Sequence, residues 1–220
     1  MTDTICEHDF VVLDYTGHLP NGHVFDTTQE TVARAFSLPA RQGGYAPARI
    51  CVGERQLLPG LDSHLIGMKI GVKHTITLSP EEAFGKRDVK NVKIVPFNYF
   101  KEYKVQPYPG LQINVDGEVG TVKSVSGGRV IVNFNHPLAG QEVVYDVTVH
   151  SKITDPVAQL HAFFEASMKL PAGQVVVKEE SDRIHVALDV AFPVAFTDVL
   201  SKKLTDLIKG KIVIVSAKKE

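Results

Sequence analysis

Well past its midpoint the chain contains the run Gln141-Glu142-Val143-Val144-Tyr145-Asp146-Val147-Thr148-Val149-His150, in which apolar and polar side chains alternate strictly from Tyr145 onward. Such a run is a strand with one face on a core, and a strand alone leaves its backbone N–H and C=O groups unpaired. Its partners must come from elsewhere. Residues 86–134 are a poor source, because they carry eight Lys and Arg against four acids and have turn signals of their own at Asp116-Gly117 and Ser126-Gly127-Gly128. The partners are therefore expected in roughly the first 80 residues. Residues 86–134 then form a small β unit inserted into a discontinuous first domain, 1–85 with 135–152.

The first part of the chain supplies the strands this reading needs. Phe10 to Thr28 has the signature of a hairpin: an apolar run, then Leu19-Pro20-Asn21-Gly22, then His23-Val24-Phe25, with Asn-Gly providing the positive-φ turn. Regular alternation fades between Thr28 and Pro47, which is expected to be a long loop with a helical turn around Glu30 to Phe36. Arg49 to Gly53 reads as a short strand. Pro59-Gly60-Leu61 opens a brief helix with Leu61, Leu65 and Met68 on one face, and Val72 to Leu78 is a half-buried strand ended by Ser79-Pro80.

After Ile153 the pattern changes. Asp155-Pro156 is a helix cap followed by proline at the first helical position, and Val157, Leu160, Phe163, Phe164 and Met168 share a face. Strands are expected at 175–177, 184–188 and 212–215, with a second amphipathic helix over Phe196, Val199, Leu200, Leu204, Leu207 and Ile208, stopped by Gly210. Residues 153–220 are thus a C-terminal α-β-β-α-β domain, whose unburied apolar stripe offers a surface for pairing with a second copy. Lys218-Lys219 reads as a solvated end.

Composition narrows the range of function. A formal net charge of −1 gives no general attraction to nucleic acid or to an anionic membrane. No apolar run approaches the roughly 18 to 20 residues that span a bilayer, and the N-terminus is acidic and polar where a signal peptide is basic and then apolar. A soluble, cytoplasmic protein is expected. Cys6 and Cys51 form no Cys-x-x-Cys pair and are expected to pack as small apolar residues in strand-like surroundings. The nine histidines have no His-x-His or His-x3-His spacing, and Gly53, Gly60 and Gly85 form no phosphate-binding loop. No metal, nucleotide or other cofactor is expected.

Several short motifs occur together in order: Leu13-Asp14-Tyr15-Thr16-Gly17, Asn21-Gly22-x-x-Phe25-Asp26, Val52-Gly53, Leu57-Leu58-Pro59-Gly60-Leu61, and Ser79-Pro80-Glu81-Glu82-Ala83-Phe84-Gly85. This ordered set resembles the FKBP family of peptidyl-prolyl cis/trans isomerases. The stretch Asn133 to Gly140, followed by Tyr145-Asp146-Val147, resembles the return from the insert-in-flap domain of SlyD-type members, and residues beyond Ile153 are similar to the extra domain of long archaeal members.

The resemblance implies an α+β fold: a twisted antiparallel sheet wrapped over a short helix, with a small β domain inserted in the flap and the C-terminal domain appended. Between sheet and helix it implies an apolar cleft for the proline ring. The walls are Tyr15, Phe25, Leu57, Leu58, Phe84 and Tyr145, with Ala48 at a further wall position and Leu61 as the floor. Asp26 is the sole buried charge, and the amide N–H of Leu58 holds a substrate carbonyl. Tyr15, Asp26, Phe84 and Tyr145 are the expected catalytic residues, although Asp26 and the tyrosine hydroxyls either orient the pocket or stabilise the twisted carbonyl. Ile94, Phe97 and Tyr99 of the insert are expected to hold unfolded, proline-containing client chains. Leu61 and Ala48 replace larger aromatics and make a shallower pocket, while Phe84 lacks the hydroxyl often found at its position.

The implied chemistry needs no nucleophile. Rotation about X-Pro meets a barrier of about 18 to 20 kcal/mol with no covalent bond broken, so a low-polarity pocket accelerates it by binding the twisted amide better than the planar, more dipolar one. Two other readings remain open: a non-catalytic holdase that binds unfolded chains, and a scaffold acting through the C-terminal domain.

Overall fold

The computed structural model describes residues 4–41 and 43–218; Met1–Asp3 and Lys219, on which the readings of the acidic N-terminus and the lysine-rich end partly rest, lie outside them. The chain divides into two compact units, residues 1–78 with 143–220, and residues 79–142.

In the first unit β1 (Phe10–His18) and β2 (Val24–Thr27) form an antiparallel hairpin. Its turn is closed by the Leu19 N–H donating to the His23 carbonyl at 2.9 Å, with Gly22 at φ 85°, a left-handed conformation that glycine adopts without strain. Then come α1 (Glu30–Ala35), β3 (Ala48–Cys51), α2 (Pro59–Leu65) and β4 (Lys73–Leu78). Proline in the first turn of α2 is preorganised for the helix; Leu61 and Leu65 bury its inner face, and Met68 is buried in the turn that follows it.

The second unit contains β5 (Val92–Pro96), α3 (Phe97–Glu102), β6 (Gln112–Val115), β7 (Glu118–Ser126) and β8 (Arg129–Asn133). Its sheet is antiparallel throughout, in the order β5-β8-β7-β6. Both turns expected from glycine are present, with Asp116 at φ 51° and Gly117 at φ 87° between β6 and β7. One sheet face, with Val95, Val122, Val130 and Val132, packs on Phe100 of α3. The other bears Ile94, which pairs across the strands with Ile131; both are exposed.

The chain then returns to the first unit as β9 (Val143–Lys152), hydrogen-bonded to β1 on one side and β4 on the other. The sheet order is β2-β1-β9-β4, with β3 also paired to β1. Val143, Tyr145, Val147 and Val149 are all buried, the odd-numbered face of the alternating run. After β9 come α4 (Pro156–Met168), β10 (Val175–Glu180), β11 (Arg183–Ala191), α5 (Val194–Leu207) and β12 (Ile212–Lys218). Asp155 caps α4, its carboxylate accepting from the Ala158 N–H at 2.7 Å. β11 pairs antiparallel with β10 and parallel with β12, the parallel pair being joined across α5. No helix among the described residues is long and apolar enough to cross a membrane.

Two local readings need correction. Cys6 is exposed and outside any strand, whereas Cys51 is buried in β3; burial pushes the Cys51 thiol up to about 12 and leaves it protonated and inert. Of the α5 stripe, Leu200, Leu204, Leu207 and Ile208, which follows the helix, reach the core, while Phe196 and Val199, placed on the same stripe, face solvent, with Val199 69% exposed. The C-terminal domain packs its own two helices and three strands around one interior, and the first domain contributes to it. Phe10 of β1 and Cys51 of β3 belong to the same apolar cluster as Leu160, Phe163 and Phe164 of α4 and Ile184 and Val186 of β11.

Candidate functional site

β1, β2 and β9 bring three aromatic rings together. Tyr15 and Tyr145 lie with ring centroids 5.8 Å apart and tilted by 59°, and Phe25 meets Tyr145 edge-on, also at 5.8 Å. These are favourable separations and angles for aromatic pairs. The cluster depends on Gly17, the β1 residue directly opposite both Asp26 and Tyr145. A Cβ there would stand 2.8 Å from the Tyr145 ring and 2.9 Å from Phe25, so glycine in the motif is a packing requirement.

The backbone of Tyr15 is clamped by two buried hydroxyls. Thr28 Oγ1 accepts from the Tyr15 N–H at 3.0 Å, and Thr27 Oγ1 donates to the Tyr15 carbonyl at 3.1 Å. At its other end the Tyr15 hydroxyl donates to Asp26 Oδ2 at 3.2 Å, and Asp26 Oδ1 is paired with the Arg41 guanidinium. Arg41 in turn lies over the Tyr45 ring, 5.1 Å from its centroid, and the Tyr45 hydroxyl donates to the Pro39 carbonyl at 2.7 Å. A loop with no regular structure thus delivers a cation to the site. Sequence reasoning missed Arg41, Thr27 and Thr28; the only available signal was the Thr-Thr that follows Phe25-Asp26.

Asp26 is not the buried charge expected of it, for its side chain is 27% exposed. That description fits Asp62, which is 4% exposed on α2. Its two carboxylate oxygens accept from the Gly53 N–H at 3.0 Å and the Arg55 N–H at 2.9 Å, fixing a turn in which both residues have positive φ. Asp62→Ala removes both acceptors and strands two N–H groups, so stability is expected to fall by about 3 kcal/mol in a urea titration; a loss below about 0.5 kcal/mol would contradict this role.

Tyr145 is almost wholly buried, and burial, with the neighbouring Tyr15 second, pushes its phenol well above the usual tyrosine range. The hydroxyl stays protonated at all physiological pH values. It makes no hydrogen bond among the described residues and is available as a donor. The Leu58 N–H is likewise uncommitted among the described residues, although the Leu58 carbonyl accepts from the Asp62 N–H at 2.9 Å.

Tyr15, Ala48 and Leu57 line one groove of about 720 Å³, a volume in the range that holds a ligand larger than a single side chain. Leu58 is half-buried beside Leu57, whereas Leu61 is buried and presents almost no surface. Phe84 belongs to the second unit, where its ring stacks on His136 at 4.4 Å. His136 also accepts from the Leu138 N–H through Nδ1 at 3.2 Å. Ile94 does not share a surface with Phe97 and Tyr99: Ile94 is 61% exposed on the bare sheet face, while the other two pack half-buried against the cluster around Phe100.

The family model described as "FKBP-type peptidyl-prolyl cis-trans isomerase" matches residues 2–106, and one described as "FKBP26, IF domain" matches residues 93–138. The chain is similar to a short-type peptidyl-prolyl cis-trans isomerase of Methanocaldococcus jannaschii, 31% identical over 149 residues, which covers 68% of this chain and 94% of that protein. A probable FKBP-type 16 kDa isomerase of Pseudomonas fluorescens is 33% identical over 144 residues, covering 63% of this chain and 85% of its own length. The FKBP-type isomerase SlyD of Vibrio cholerae is 33% identical over 111 residues, 47% of this chain and 53% of that protein.

Proposed function

The chain belongs to the FKBP-type peptidyl-prolyl cis-trans isomerase family and is an enzyme of that activity, and we propose that X-Pro rotation takes place over the cluster of Tyr15, Phe25 and Tyr145. The observation that carries this assignment is the fixed line Arg41–Asp26–Tyr15 beside a neutral, uncommitted Tyr145 hydroxyl. The rings form the apolar surface that receives the proline. A substrate carbonyl accepts from the Leu58 N–H, and as the imide leaves its plane its lower dipole suits the apolar surface better than the planar form does.

Both oxygens of Asp26 are already engaged, one by Tyr15 and one by Arg41. Asp26 is therefore a positioning residue that holds the Tyr15 ring against Tyr145, and does not itself meet the substrate.

Residues 86–134 are read as an insert-in-flap chaperone unit. Support comes from the match to the "FKBP26, IF domain" model and from the solvent-facing Val92, Ile94 and Ile131 on one sheet face; exposed apolar patches of this kind commonly mark interaction sites. The C-terminal segment is read as that of the long archaeal type, and its exposed Val194, Phe196 and Val199 on α5 as a contact with a second copy. Sedimentation equilibrium is expected to give a dimer that Val199→Glu dissociates; a monomer at all concentrations refutes the pairing.

Exchange NMR on a short X-Pro peptide tests the central assignment. The protein is expected to accelerate exchange, and Tyr145→Phe to reduce kcat/KM about three- to tenfold, the equivalent of one uncharged hydrogen bond. Suppressed aggregation of an unfolded client without any acceleration would establish the holdase instead.

A further inference from the structure

The groove that contains Tyr15 and Leu57 is not closed by the catalytic sheet alone. It continues along β3 to the C-terminal end of α4, where Arg49, Glu165, Lys169 and Pro171 line it. Gln56, the residue before Leu57, donates through Nε2 to Ser167 Oγ of α4 at 2.6 Å, which ties this far wall to the cleft. The Lys169 Nζ is turned back toward the helix end, donating to the Ala166 carbonyl at 3.1 Å.

We infer that α4 supplies the second wall of the client groove, and that Arg49 and Lys169 select client chains with acidic side chains close to the proline. The inference rests on the cleft assignment above, since a chain whose proline lies at Tyr15 and Leu57 must run its neighbours through the rest of the groove. A groove of about 720 Å³ has room for those neighbours. Its charge indicates which ones. Arg41 is neutralised by Asp26, whereas among the described residues Arg49, Lys169 and Glu165 make no ion pair, leaving two free cations against one acid. An incoming carboxylate finds a complementary field, and an incoming ammonium group a repulsive one.

The test uses the full chain and three peptides with one X-Pro centre, flanked by Glu, Gln or Lys, with kcat/KM measured by exchange NMR so that no coupling protease adds its own preference. The expected order is Glu above Gln above Lys, with roughly threefold to tenfold between the extremes at low salt, as for a few exposed charge pairs, shrinking in 1 M salt. Arg49→Glu with Lys169→Glu is expected to reverse the order, and Glu165→Lys to widen it. Arg49→Glu and Glu165→Lys carry the test separately if Lys169→Glu, at the left-handed cap of α4, fails to fold. Equal rates on the three peptides, or an order unchanged in the charge variants, overturn this inference and leave the cleft assignment standing. No turnover of any peptide overturns the cleft assignment itself.

Discussion

Asp26→Ala is expected to lower kcat/KM on a short X-Pro peptide by roughly tenfold to a hundredfold, as fits the loss of hydrogen bonds to a charged group. Among the described residues the carboxylate is the only link between the Tyr15 hydroxyl and Arg41. Without it the phenol loses its anchor beside Tyr145, and the guanidinium is left over Tyr45 with no counter-charge. Arg41→Ala is expected to do less harm, because Asp26 can still accept from Tyr15. The double variant should be little worse than Asp26→Ala alone, since groups acting as one unit are not additive. Asp26 is partly exposed, so thermal stability should change only modestly and folding can be checked separately. Near-normal activity in Asp26→Ala, or strictly additive losses, would rule out the positioning role.

The second large effect concerns the inserted unit. Removing residues 86–134 is expected to slow catalysis of a proline-limited refolding reaction by tenfold or more while a short peptide is turned over at a rate within about threefold of the intact chain. A client held on Ile94 and Ile131 meets the cleft at a raised effective concentration, a gain that can reach 10² to 10⁴; a short peptide gains nothing from a second contact it cannot reach. Replacing Ile94 and Ile131 by Ser is the gentler version, because both side chains lie on the exposed face and the valine core around Phe100 stays intact. Equal refolding rates in the intact and shortened chains would remove the insert from the mechanism.

Much of this architecture could be read from sequence where local chemistry dictates it. Asn21-Gly22 could serve little else than a tight hairpin turn, Pro59 marked the start of α2, Asp155-Pro156 opened α4, and the odd-numbered valines from 143 required an inner strand. α3 was not foreseen, because its aromatic run Phe97 to Phe100 has no periodicity long enough to distinguish helix from strand. The cleft was legible only in part. Tyr15, Phe25 and Tyr145 lie on strands whose register follows from alternation, whereas Arg41 reaches Asp26 from a loop whose path is set by Tyr45 and Pro39, which no local pattern encodes. Asp62 was hidden by its neighbours, since the apolar face of α2 drew attention to Leu61 and its carboxylate serves a turn earlier in the chain. The stripe on α5 was overcounted because helical spacing shows which residues share a face, and says nothing about where the neighbouring element ends.

Phe10 and Cys51 share their apolar surroundings with Leu160, Phe163 and Phe164. The strand that begins at Phe10 also carries Tyr15 and Gly17, so the tail is a buttress for that strand and not a detachable accessory. Cutting the chain after β9 would lay bare the hydrophobic flank of the very hairpin that positions the aromatic rings.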